Sequence, residues 1–591
     1  MKPKKTRRKF HEIDLEQARW TLNGKVKVPE TTAGMESTDA IIGQDRAIKA
    51  LRLGLELYRP GYNVFVCGIA GSGRTSTVRR MLDKLKPACA LAEDLAYVHN
   101  FDEPERPRLI VLPRGQAPKF REAVHEMVKL LRREIESLVN SESTRERVKD
   151  LEKRYLERAG VRTRAFQASL ASEKLGLARA ADDQTAFPEL VYIHEDQPID
   201  IARLDVAVQE GLIDAKEAQR LQAAHDRMQP ELQEFIAEQQ RMQSELIHER
   251  TAVEKRAVAL AVTSLKNLLL ARFSSQAIEA WLGQVEKTIL NNLDVFRQPE
   301  AKADDDEDNE GGDESGPDFS AFDVNVILTS TGEACPIVVE NIPNWQNLFG
   351  SQDRVPVAPG VYGTDFSRIK PGSLVRAQGG YLVLNATDLL SEGSLWQAFK
   401  RVLRTGELVI QPPESQGAAN APILNPDPIP ISVKVILLGS HRLYEVLCEN
   451  DSDFAKIFKI KADFDTAIDF SKKSLDSYVD VIVRILRTEK LRDLDRSGLD
   501  QILQQSMRIS GRKERLTTRF SHIADMLREA DYHANREESA LIRAEHVRTA
   551  VHDMHERLNL LEEKIQRRIH DGDVHIETEG ETVGQLNGLT V

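Results

Sequence analysis

The hydrophobic pattern of this 591-residue chain first indicates short strands that are buried on both faces. The segment NVFVCG, which begins at Asn63, is apolar at successive positions, as strands in the middle of a parallel sheet are. Similar apolar runs occur at 381–385 and 432–439. We therefore predict a parallel sheet built from segments that lie far apart in the chain, with ligands bound at the carboxyl ends of its strands.

A second pattern combines charged residues with helical periodicity and extends from about residue 119 to residue 296. Apolar residues recur in it at steps of three, four and seven, which is typical of a coiled-coil seam. We predict an antiparallel coiled coil or long helical hairpin over about 120–260, with the interrupting segment AFPELVYIHEDQPI at its tip. The predicted seam consists of Met228, Leu232, Phe235, Met242, Leu246 and Val253.

In the second half of the chain, the sequence pattern predicts a linker, a helical region and terminal strands. Residues 302–318, KADDDEDNEGGDESGPD, carry too much charge and too few apolar side chains to pack, which predicts a disordered linker. Helical periodicity returns from Leu475 to about Arg568, and the last residues, DVHIETEGETVGQLNGLTV, are typical of strands.

Composition and charge narrow the function classes. The net charge of −12 argues against nucleic acid as the main partner, and we interpret the basic start MKPKKTRRKF as a solvated tail. The four cysteines lie far apart without a C-x-x-C pair, which fits a reducing compartment and neither a disulfide framework nor a zinc site. Because no apolar run has membrane-spanning length and no signal peptide is visible, we predict a cytoplasmic protein.

The segment VFVCGIAGSGRTSTV carries the candidate chemistry, because it reads as a strand, a glycine-rich turn and the start of a helix. This is the layout of the phosphate-binding loop G-x-x-x-x-G-K-[ST], with Arg74 at the lysine position. Glycines allow backbone N–H groups to approach phosphate oxygens, and Thr75 can offer its hydroxyl to Mg²⁺. The alternative is a strand-to-helix turn without a ligand. The predicted nucleotide ligands are Gly68, Gly71, Ser72, Gly73, Arg74, Thr75 and Ser76.

The second half of such a site normally has an apolar strand that ends in acidic residues, which orient Mg²⁺ and activate water. Here the strand YLVL is followed by Asn385 and Ala386, neither of which is acidic, although Asn385 could hydrogen-bond a water on Mg²⁺ and so take part in ATP hydrolysis. Asp388 lies three residues further on, where it could serve the metal or cap a helix. Ser440, at the end of the strand VKVILLG, could position the attacking water or be an ordinary turn serine.

Several long segments resemble Lon-like ATP-dependent proteases of the archaeal-type (LonB-related) bacterial group, which are AAA+ proteins. They are IIGQDRAIKALRLGLELYRPGYNVFVCGIAGSGRT, FSRIKPGSLVRAQGGYLVLNATDLL, VKVILLGSHRLYEVL, RLTTRFSHIADMLREADYHA and GDVHIETEGETVGQLNGLTV, and the similarity extends from about residue 15 to the last residue. The resemblance implies an α/β fold: an AAA+ P-loop NTPase parallel sheet with a long helical (coiled-coil) insertion and a C-terminal α-helical subdomain. It also implies ATP and Mg²⁺ as cofactors, a homo-oligomeric ring that is expected to be a hexamer, and unfolded or damaged protein substrates.

The resemblance implies roles for residues outside the loop. Arg515 and Arg519, spaced i, i+4 and so predicted on one helix face, resemble the sensor-2 region, with surface arginines as the alternative. Tyr362 resembles the aromatic grip of a ring's central pore, or is a packed turn tyrosine. Where an arginine finger is expected, the chain has Lys456 and Lys459, which cannot form the same bidentate contact.

The same resemblance gives the predicted domain limits. They are an N-terminal segment (1–40), the first part of the AAA+ α/β domain (41–114), the helical insertion (115–300), the acidic linker (301–319), the second part of the α/β domain (320–470), the helical lid (471–570) and the start of a Lon-type peptidase domain (571–591).

A Lon-type peptidase needs a serine nucleophile that is activated by a lysine, and no D-G-P-S-A-G-like motif occurs in this sequence. The final GLTV would leave a sheet edge half built, which favours part of a longer protein over a protease-less descendant. Three hypotheses follow: the ATPase and unfoldase part of a Lon-like protease, a nucleotide-binding scaffold with weak hydrolysis, or another AAA+ class such as a chelatase or DNA motor. The acidic balance makes DNA the least expected partner.

Overall fold

The structure is a computed structural model of the chain. It describes residues 29–36, 43–69, 71, 73–85, 92–178, 189–194, 197–200, 204–209, 211–297, 319–330, 332, 334–358, 361–412, 423–512, 514–574 and 583–584. The predictions for the basic N-terminus, the acidic linker at 302–318, Ser72 and the strands beyond residue 574 therefore fall mainly or wholly outside the described residues.

Nineteen strands occur in the described ranges. They are β1 (Val64–Cys67), β2 (Asp94–Val98), β3 (Arg108–Leu112), β4 (Leu175–Ala178), β5 (Glu189–His194), β6 (Gln197–Asp200), β7 (Val324–Leu328), β8 (Ile337–Glu340), β9 (Gly350–Gln352), β10 (Val355–Ala358), β11 (Val361–Gly363), β12 (Ile369–Pro371), β13 (Tyr381–Asn385), β14 (Glu407–Leu408), β15 (Ile429–Pro430), β16 (Lys434–Gly439), β17 (Ile460–Asp463), β18 (Ala467–Asp469) and β19 (Arg515–Thr517).

Helices of very different lengths alternate with these strands. They are α1 (Asp45–Glu56), α2 (Arg74–Leu85), α3 (Ala117–Val139), α4 (Glu142–Ser172), α5 (Leu204–Gln209), α6 (Ala215–Arg272), α7 (Gln276–Asn291), α8 (Trp345–Phe349), α9 (Ser373–Arg376), α10 (Ala386–Leu389), α11 (Gly393–Thr405), α12 (His441–Asn450), α13 (Phe454–Ile457), α14 (Lys472–Glu489), α15 (Arg496–Ser510), α16 (Phe520–Arg536), α17 (Ala544–Leu558) and α18 (Leu560–His570).

Five parallel strands form the central sheet, in the order β17–β1–β16–β13–β8. β1 lies inside the sheet, where Val64 is level with Ile436 of β16 on one side and with Ile460 of β17 on the other. All four residues of β1 are buried, as its continuous apolar sequence predicted. The predicted parallel sheet, assembled from segments that are hundreds of residues apart, is confirmed.

The two faces of this sheet bury different side chains. Val64 and Val66 share a cluster with apolar residues of α1 and α2. Phe65 and Cys67 point to the opposite face, into a cluster that includes Phe454 of α13. Each fully buried aliphatic or aromatic side chain contributes about 1.5–3 kcal/mol relative to an exposed one, so the sheet holds β1 firmly from both sides.

A buried ion pair ties α11 to the segment before α13. The Lys400 ammonium lies 2.7 Å from the Asp451 carboxylate, and the two side chains are 10% and 12% exposed. The indole N–H of Trp396 donates to the same carboxylate oxygen over 2.8 Å. Burial alone would raise the pKa of Asp451, but the Lys400 and Trp396 hydrogen bonds lower it below its ordinary value.

A separate antiparallel sheet, β3–β2–β7, joins the sheet domain to the helices of the insertion. β2 and β3 lie in the range that the sequence assigned to the first part of the α/β domain, yet they pair with β7 rather than with the parallel strands. The fully buried Asp94 accepts hydrogen bonds from the backbone N–H groups of Ala117 (2.9 Å) and Ser330 (2.8 Å). One carboxylate thus connects the start of α3 to the end of β7.

The insertion forms a long antiparallel helical arm, as predicted. α4 packs against α6, which has 58 residues, and Phe166 stacks on Phe235 with ring centres 4.6 Å apart. Arg162 and Glu238 form an ion pair of 2.6 Å along the same seam. β4, β5 and β6 form a small antiparallel sheet at the end where α4 and α6 are joined, in the region predicted as the tip. Among the predicted seam residues, Met228, Leu232, Phe235 and Met242 are buried, whereas Leu246 and Val253 are only partly buried.

The C-terminal lid consists of α14–α17 around a common apolar core. The segment before α1 is attached to this lid. Thr32, which is fully buried, donates its hydroxyl to Asp493 over 2.8 Å and accepts the Leu494 N–H over 3.0 Å. The residues around Thr32 therefore pack with the lid, although they lie far from it in sequence.

The cysteines differ from the sequence expectation in one respect. Cys67 and Cys448 are free, but Cys335 is disulfide-bonded, so the prediction that the cysteines form no disulfide is wrong for this residue. Sequence distance is a poor guide here, because folding brings remote segments together.

None of the helices in the described part of the chain combines the length and apolar character that a membrane crossing needs.

Candidate functional site

The glycine-rich loop follows β1 at the carboxyl edge of the parallel sheet. The Gly68 N–H donates to the Gly439 carbonyl at the end of β16 over 3.2 Å, which holds the start of the loop against the neighbouring strand. Gly71 and Gly73 have φ angles of +79° and +77°, in the left-handed region that glycine tolerates best. The predicted strand, loop and helix are therefore present, and Ser72 is the predicted ligand that lies outside the described residues.

The described residues of the loop and the start of α2 leave room for an anion. A Cβ added to Gly73 would meet no atom within 4 Å, so open space adjoins the backbone there. α2 begins at Arg74 and has no acidic residue in its first turn, which leaves the positive end of its dipole available. Thr75 and Ser76, in the same first turn, are exposed. These features fit a phosphate group with a nearby hydroxyl for a metal ion.

Arg74 occupies the position of the usual lysine and is turned toward the sheet. Its guanidinium donates a hydrogen bond to the Gly439 carbonyl, the same acceptor that Gly68 uses. Burial lowers the pKa of Arg74, but a guanidinium stays charged in proteins. Burial also raises the pKa of the adjacent Cys67 thiol to about 12, so this sulfur is neutral at physiological pH and does not act as a nucleophile.

A cavity of about 500 Å³ lies beside the loop, and the sequence interpretation assigned no role to its lining. Gln44, at the start of α1, forms two hydrogen bonds with the backbone of Asp465: its amide donates over 3.0 Å and its carbonyl accepts over 2.9 Å. In the sequence, IIGQDRAIKAL is part of a segment that has helical spacing and resembles relatives. Its glutamine pairs with a residue about 420 positions away, and no local pattern reveals that contact.

The wall of this cavity nearest β1 carries ionised groups. Asp463, level with Cys67 in the sheet, forms an ion pair of 2.9 Å with Lys461 and a hydrogen bond with His441. Burial alone would raise the pKa of Asp463. The hydrogen bonds from Lys461 and His441 outweigh this effect and lower the pKa below its ordinary value. The cavity therefore combines a fixed carboxylate with donors, as a polar ligand would require.

At the strand ends where acidic and water-positioning groups are expected, the side chains of Asn385 and Ser440 bond to the helices that follow. Asn385 lies two strands from β1, at about 10 Å by ordinary strand spacing, and its side chain accepts the Thr387 N–H over 3.0 Å. Ala386 is fully buried, and Asp388 is exposed on the short helix α10. Ser440 accepts the Leu443 N–H over 3.1 Å. Asn385 and Ser440 therefore cap helices, and their catalytic roles stay predictions.

The prediction that Arg515 and Arg519 share one face of a helix is wrong. Arg515 lies on β19, which pairs with β18, and its side chain forms an ion pair of 3.0 Å with Asp469. α16 begins only at Phe520, with Arg519 immediately before it. Strand pairing with a distant segment overrides the local spacing, and the β-branched Thr517 and Thr518 favour the extended backbone. Among the described residues, the Arg519 guanidinium has no hydrogen bond or ion pair, so it is free to meet an anion.

The first turn of α16 touches the nucleotide loop directly. The Ser521 N–H donates to the Gly71 carbonyl over 3.3 Å. Thr518, just before this helix, donates its N–H to the Thr466 carbonyl over 2.9 Å and its hydroxyl to the Asp465 carbonyl over 2.6 Å. The structure therefore brings Arg519, and not Arg515, to the side of the loop and the cavity.

Other predicted residues lie away from this edge. Tyr362 is on β11 of the hairpin β10–β11, and the residue is 52% exposed. Lys456 pairs with Asp453 over 3.3 Å, and the Lys459 ammonium lies 4.7 Å from the Tyr62 ring centre. Both lysines precede β17, at the amino edge of the sheet. Both therefore lie at the opposite edge of the sheet from the nucleotide loop of the same chain.

Three family models match separate parts of the chain. Residues 333–465 match the model described as "LonB-like, AAA domain", and residues 493–557 match "Archaeal LonB, AAA+ ATPase LID domain". Residues 94–127, which span β2, β3 and the start of α3, match "Lon-like LonC helical domain". The predicted resemblance to Lon-like AAA+ proteins is confirmed for these ranges, and so is the predicted fold class.

Individual relatives are more distant. A Haemophilus influenzae protein named "Putative Lon protease homolog" is 26% identical over 231 residues, which are 38% of this chain and 36% of that protein. The chain thus matches about a third of the length of this curated relative.

Among solved structures, NtrX from Brucella abortus in complex with ATP is 14% identical, with a TM-score of 0.26, over 40% of this chain and 51% of that chain. A magnesium chelatase complex of subunits BchI and BchD is 17% identical, with a TM-score of 0.17, over 38% and 70%. An MCM homologue from Methanopyrus kandleri is 15% identical, with a TM-score of 0.14, over 36% and 43%. At these scores the likenesses add nothing on function.

Proposed function

We propose that this chain, which contains a LonB-like AAA+ domain, is the ATP-binding module of a Lon-like ATP-dependent machine that unfolds and translocates protein substrates. One observation carries the proposal. A glycine loop follows a fully buried strand inside a parallel sheet, opens onto the free N-terminus of α2, and lies next to the first turn of the lid helix α16. No peptidase residue is assigned to this chain.

The chemistry follows from the positions of the chain's own groups. The backbone of the loop and the α2 N-terminus would hold the phosphates, with Arg74 and Arg519 supplying positive charge. The Thr75 hydroxyl is the candidate ligand for Mg²⁺, which when bound would neutralise phosphate charge. The cavity lined by Gln44 and Asp465 has the volume for a base and ribose.

Nucleotide binding is the first test. Titration of the full chain with fluorescent ATP in the presence of Mg²⁺ should give saturable binding. Arg74→Ala should weaken it by about tenfold, because a charge-assisted phosphate contact is lost. Arg79→Ala is the matched control, since Arg79 is exposed in the second turn of the same helix, and this variant should bind within about twofold of the parent. A folded parent chain that does not bind nucleotide would end the proposal.

A second candidate function is a nucleotide-binding scaffold that hydrolyses ATP weakly or not at all. It is favoured by Asn385, which caps a helix where an acid would be expected, and by the burial of Ala386. Turnover at saturating Mg-ATP separates the two candidates. A rate equal to the buffer blank with binding retained supports the scaffold. Asn385→Asp should then raise turnover, because aspartate caps helices equally well and adds the missing charge.

We also propose a homo-oligomeric ring, with a hexamer expected, in which Tyr362 contacts unfolded or damaged proteins. A cytoplasmic location and the domain limits given above remain proposals as well. Light scattering with and without nucleotide tests assembly. Stimulation of turnover by unfolded protein supports the protein substrate, whereas stimulation by DNA would favour a DNA-remodelling motor.

A further inference from the structure

The glycines of the loop face different surroundings. Gly73 adjoins open space, where a ligand fits. A Cβ on Gly71, in contrast, would overlap the Ser521 Oγ and lie 2.8 Å from the Ser521 Cβ. Although both residues have nearly the same φ, only Gly71 is enclosed by another part of the protein. The absence of a side chain at Gly71 therefore allows the lid residue Ser521 to lie against the loop.

The hydrogen bond from the Ser521 N–H to the Gly71 carbonyl satisfies a donor at the start of the lid helix α16. The first N–H groups of a helix have no partner within the helix, and a side-chain oxygen at the N-cap usually satisfies one of them. α16 is preceded by Arg519, which has no acceptor and makes no capping bond. The Gly71 carbonyl takes over this task by accepting the Ser521 N–H. The loop thus caps the lid helix.

Two further bonds keep this helix end in place. Thr518 donates to the carbonyls of Asp465 and Thr466, which line the cavity beside the loop. The start of α16 therefore touches both the loop and the cavity wall, whereas the rest of α16 packs within the lid core. A displacement of the start of α16 away from the loop would break the contact at Gly71.

We propose that Gly71 is the docking point of the lid on the nucleotide loop, and that the backbone N–H of Ser521 holds the lid there, so that lid attachment sets nucleotide affinity. This inference rests on the proposed nucleotide site. It assigns Gly71 to lid contact, whereas the loop motif would assign it to phosphate contact. A nucleotide bound in the loop would be retained as long as this contact holds.

A double-mutant cycle tests the assignment. Gly71→Ala should weaken binding of fluorescent ADP by about tenfold, within the range of coupling between residues in contact. Ser521→Gly alone should stay within about twofold, because the donating N–H is retained. The double variant should regain about fivefold over Gly71→Ala, since the overlap is gone and only the strain of alanine at positive φ persists. A double variant as weak as Gly71→Ala would overturn the inference.

Hydrogen exchange of the full chain without nucleotide gives an independent readout. Amides in 518–527 should exchange faster in Gly71→Ala than in the parent and return toward the parent rate in the double variant. If Gly71→Ala leaves this exchange unchanged, lid docking is refuted even when nucleotide binds. If the exchange follows the expected pattern but the parent binds no nucleotide, the proposed function fails, and with it the claim that docking sets affinity.

Discussion

Lys400→Met should destabilise the sheet domain far more than its surface counterpart. The substitution keeps the length and apolar stem of the side chain but removes the ammonium that pairs with Asp451 at 2.7 Å. Because both side chains are only about a tenth exposed, the Asp451 charge would remain buried with the Trp396 N–H and the Asp453 N–H as its donors. Breaking a buried pair from one side costs about 3–5 kcal/mol.

This cost predicts a large shift in thermal unfolding. A domain of roughly 150–250 residues loses about 2–4 °C per kcal/mol, so the Tm of the sheet domain should fall by about 10 °C at pH 7 in scanning calorimetry of the full chain. Lys456→Met is the matched control, because Lys456 pairs with Asp453 at 3.3 Å but is 73% exposed. Exposed pairs contribute about 0–1 kcal/mol, so the control should shift by a few degrees at most.

The double variant Lys400→Met/Asp451→Asn and the pH dependence complete the test. The double variant should recover most of the loss, because no unpaired charge stays buried. The folded pKa of Asp451 lies below its ordinary value, so its ion pair stabilises the protein above about pH 4 and loses this effect as the pH falls through the folded pKa. The difference between parent and Lys400→Met should therefore shrink in acid. Equal Tm shifts for Lys400→Met and the control would refute the reasoning.

Three further outcomes are expected. Arg519→Ala should weaken nucleotide binding about tenfold, whereas Arg515→Ala, which removes only an exposed ion pair, should not; equal effects in a nucleotide titration would contradict the assignment of Arg519. Asp94→Ala should cost about 1–3 kcal/mol in denaturant unfolding, because the buried Ala117 N–H and the partly buried Ser330 N–H lose their acceptor, and an unchanged unfolding midpoint would show that another group replaces it. Tyr362→Ala should reduce the stimulation of ATP turnover by unfolded protein, while Tyr532→Ala, which is similarly exposed on the lid, should keep it; a reduction in both would remove Tyr362 from substrate contact.

Buried parallel strands and the loop after β1 could be predicted from the sequence, because their signals are local. A strand that is buried on both faces must be apolar at successive positions, and a glycine turn before a helix has a recognisable spacing. The long arm was also predictable, because its seam repeats over many turns. Leu246 and Val253 continue that repeat but are only partly buried, so periodicity identified the seam more accurately than it located its end.

Contacts between remote segments could not be predicted in this way. Arg515 and Arg519 have helical spacing, but Arg515 lies in a strand that pairs with β18. No residue near Arg515 in the sequence indicates this partner. Gln44 closes the cavity through a residue about 420 positions away. Gly71 was correctly singled out as a loop glycine. Its contact with Ser521 depends on where the lid helix begins, which only the folded chain reveals.

The length of α6 has a mechanical consequence. At about 1.5 Å per residue, its 58 residues extend over about 87 Å. Its C-terminal part packs on α3 and α7 beside the sheet β3–β2–β7. A tilt of about 5° at this fulcrum would move the far end by about 8 Å, even though no contact at the base changes by more than a small fraction of that distance. With such a length, a small rotation at the base of the arm would become a displacement at its far end that is larger than the diameter of a side chain.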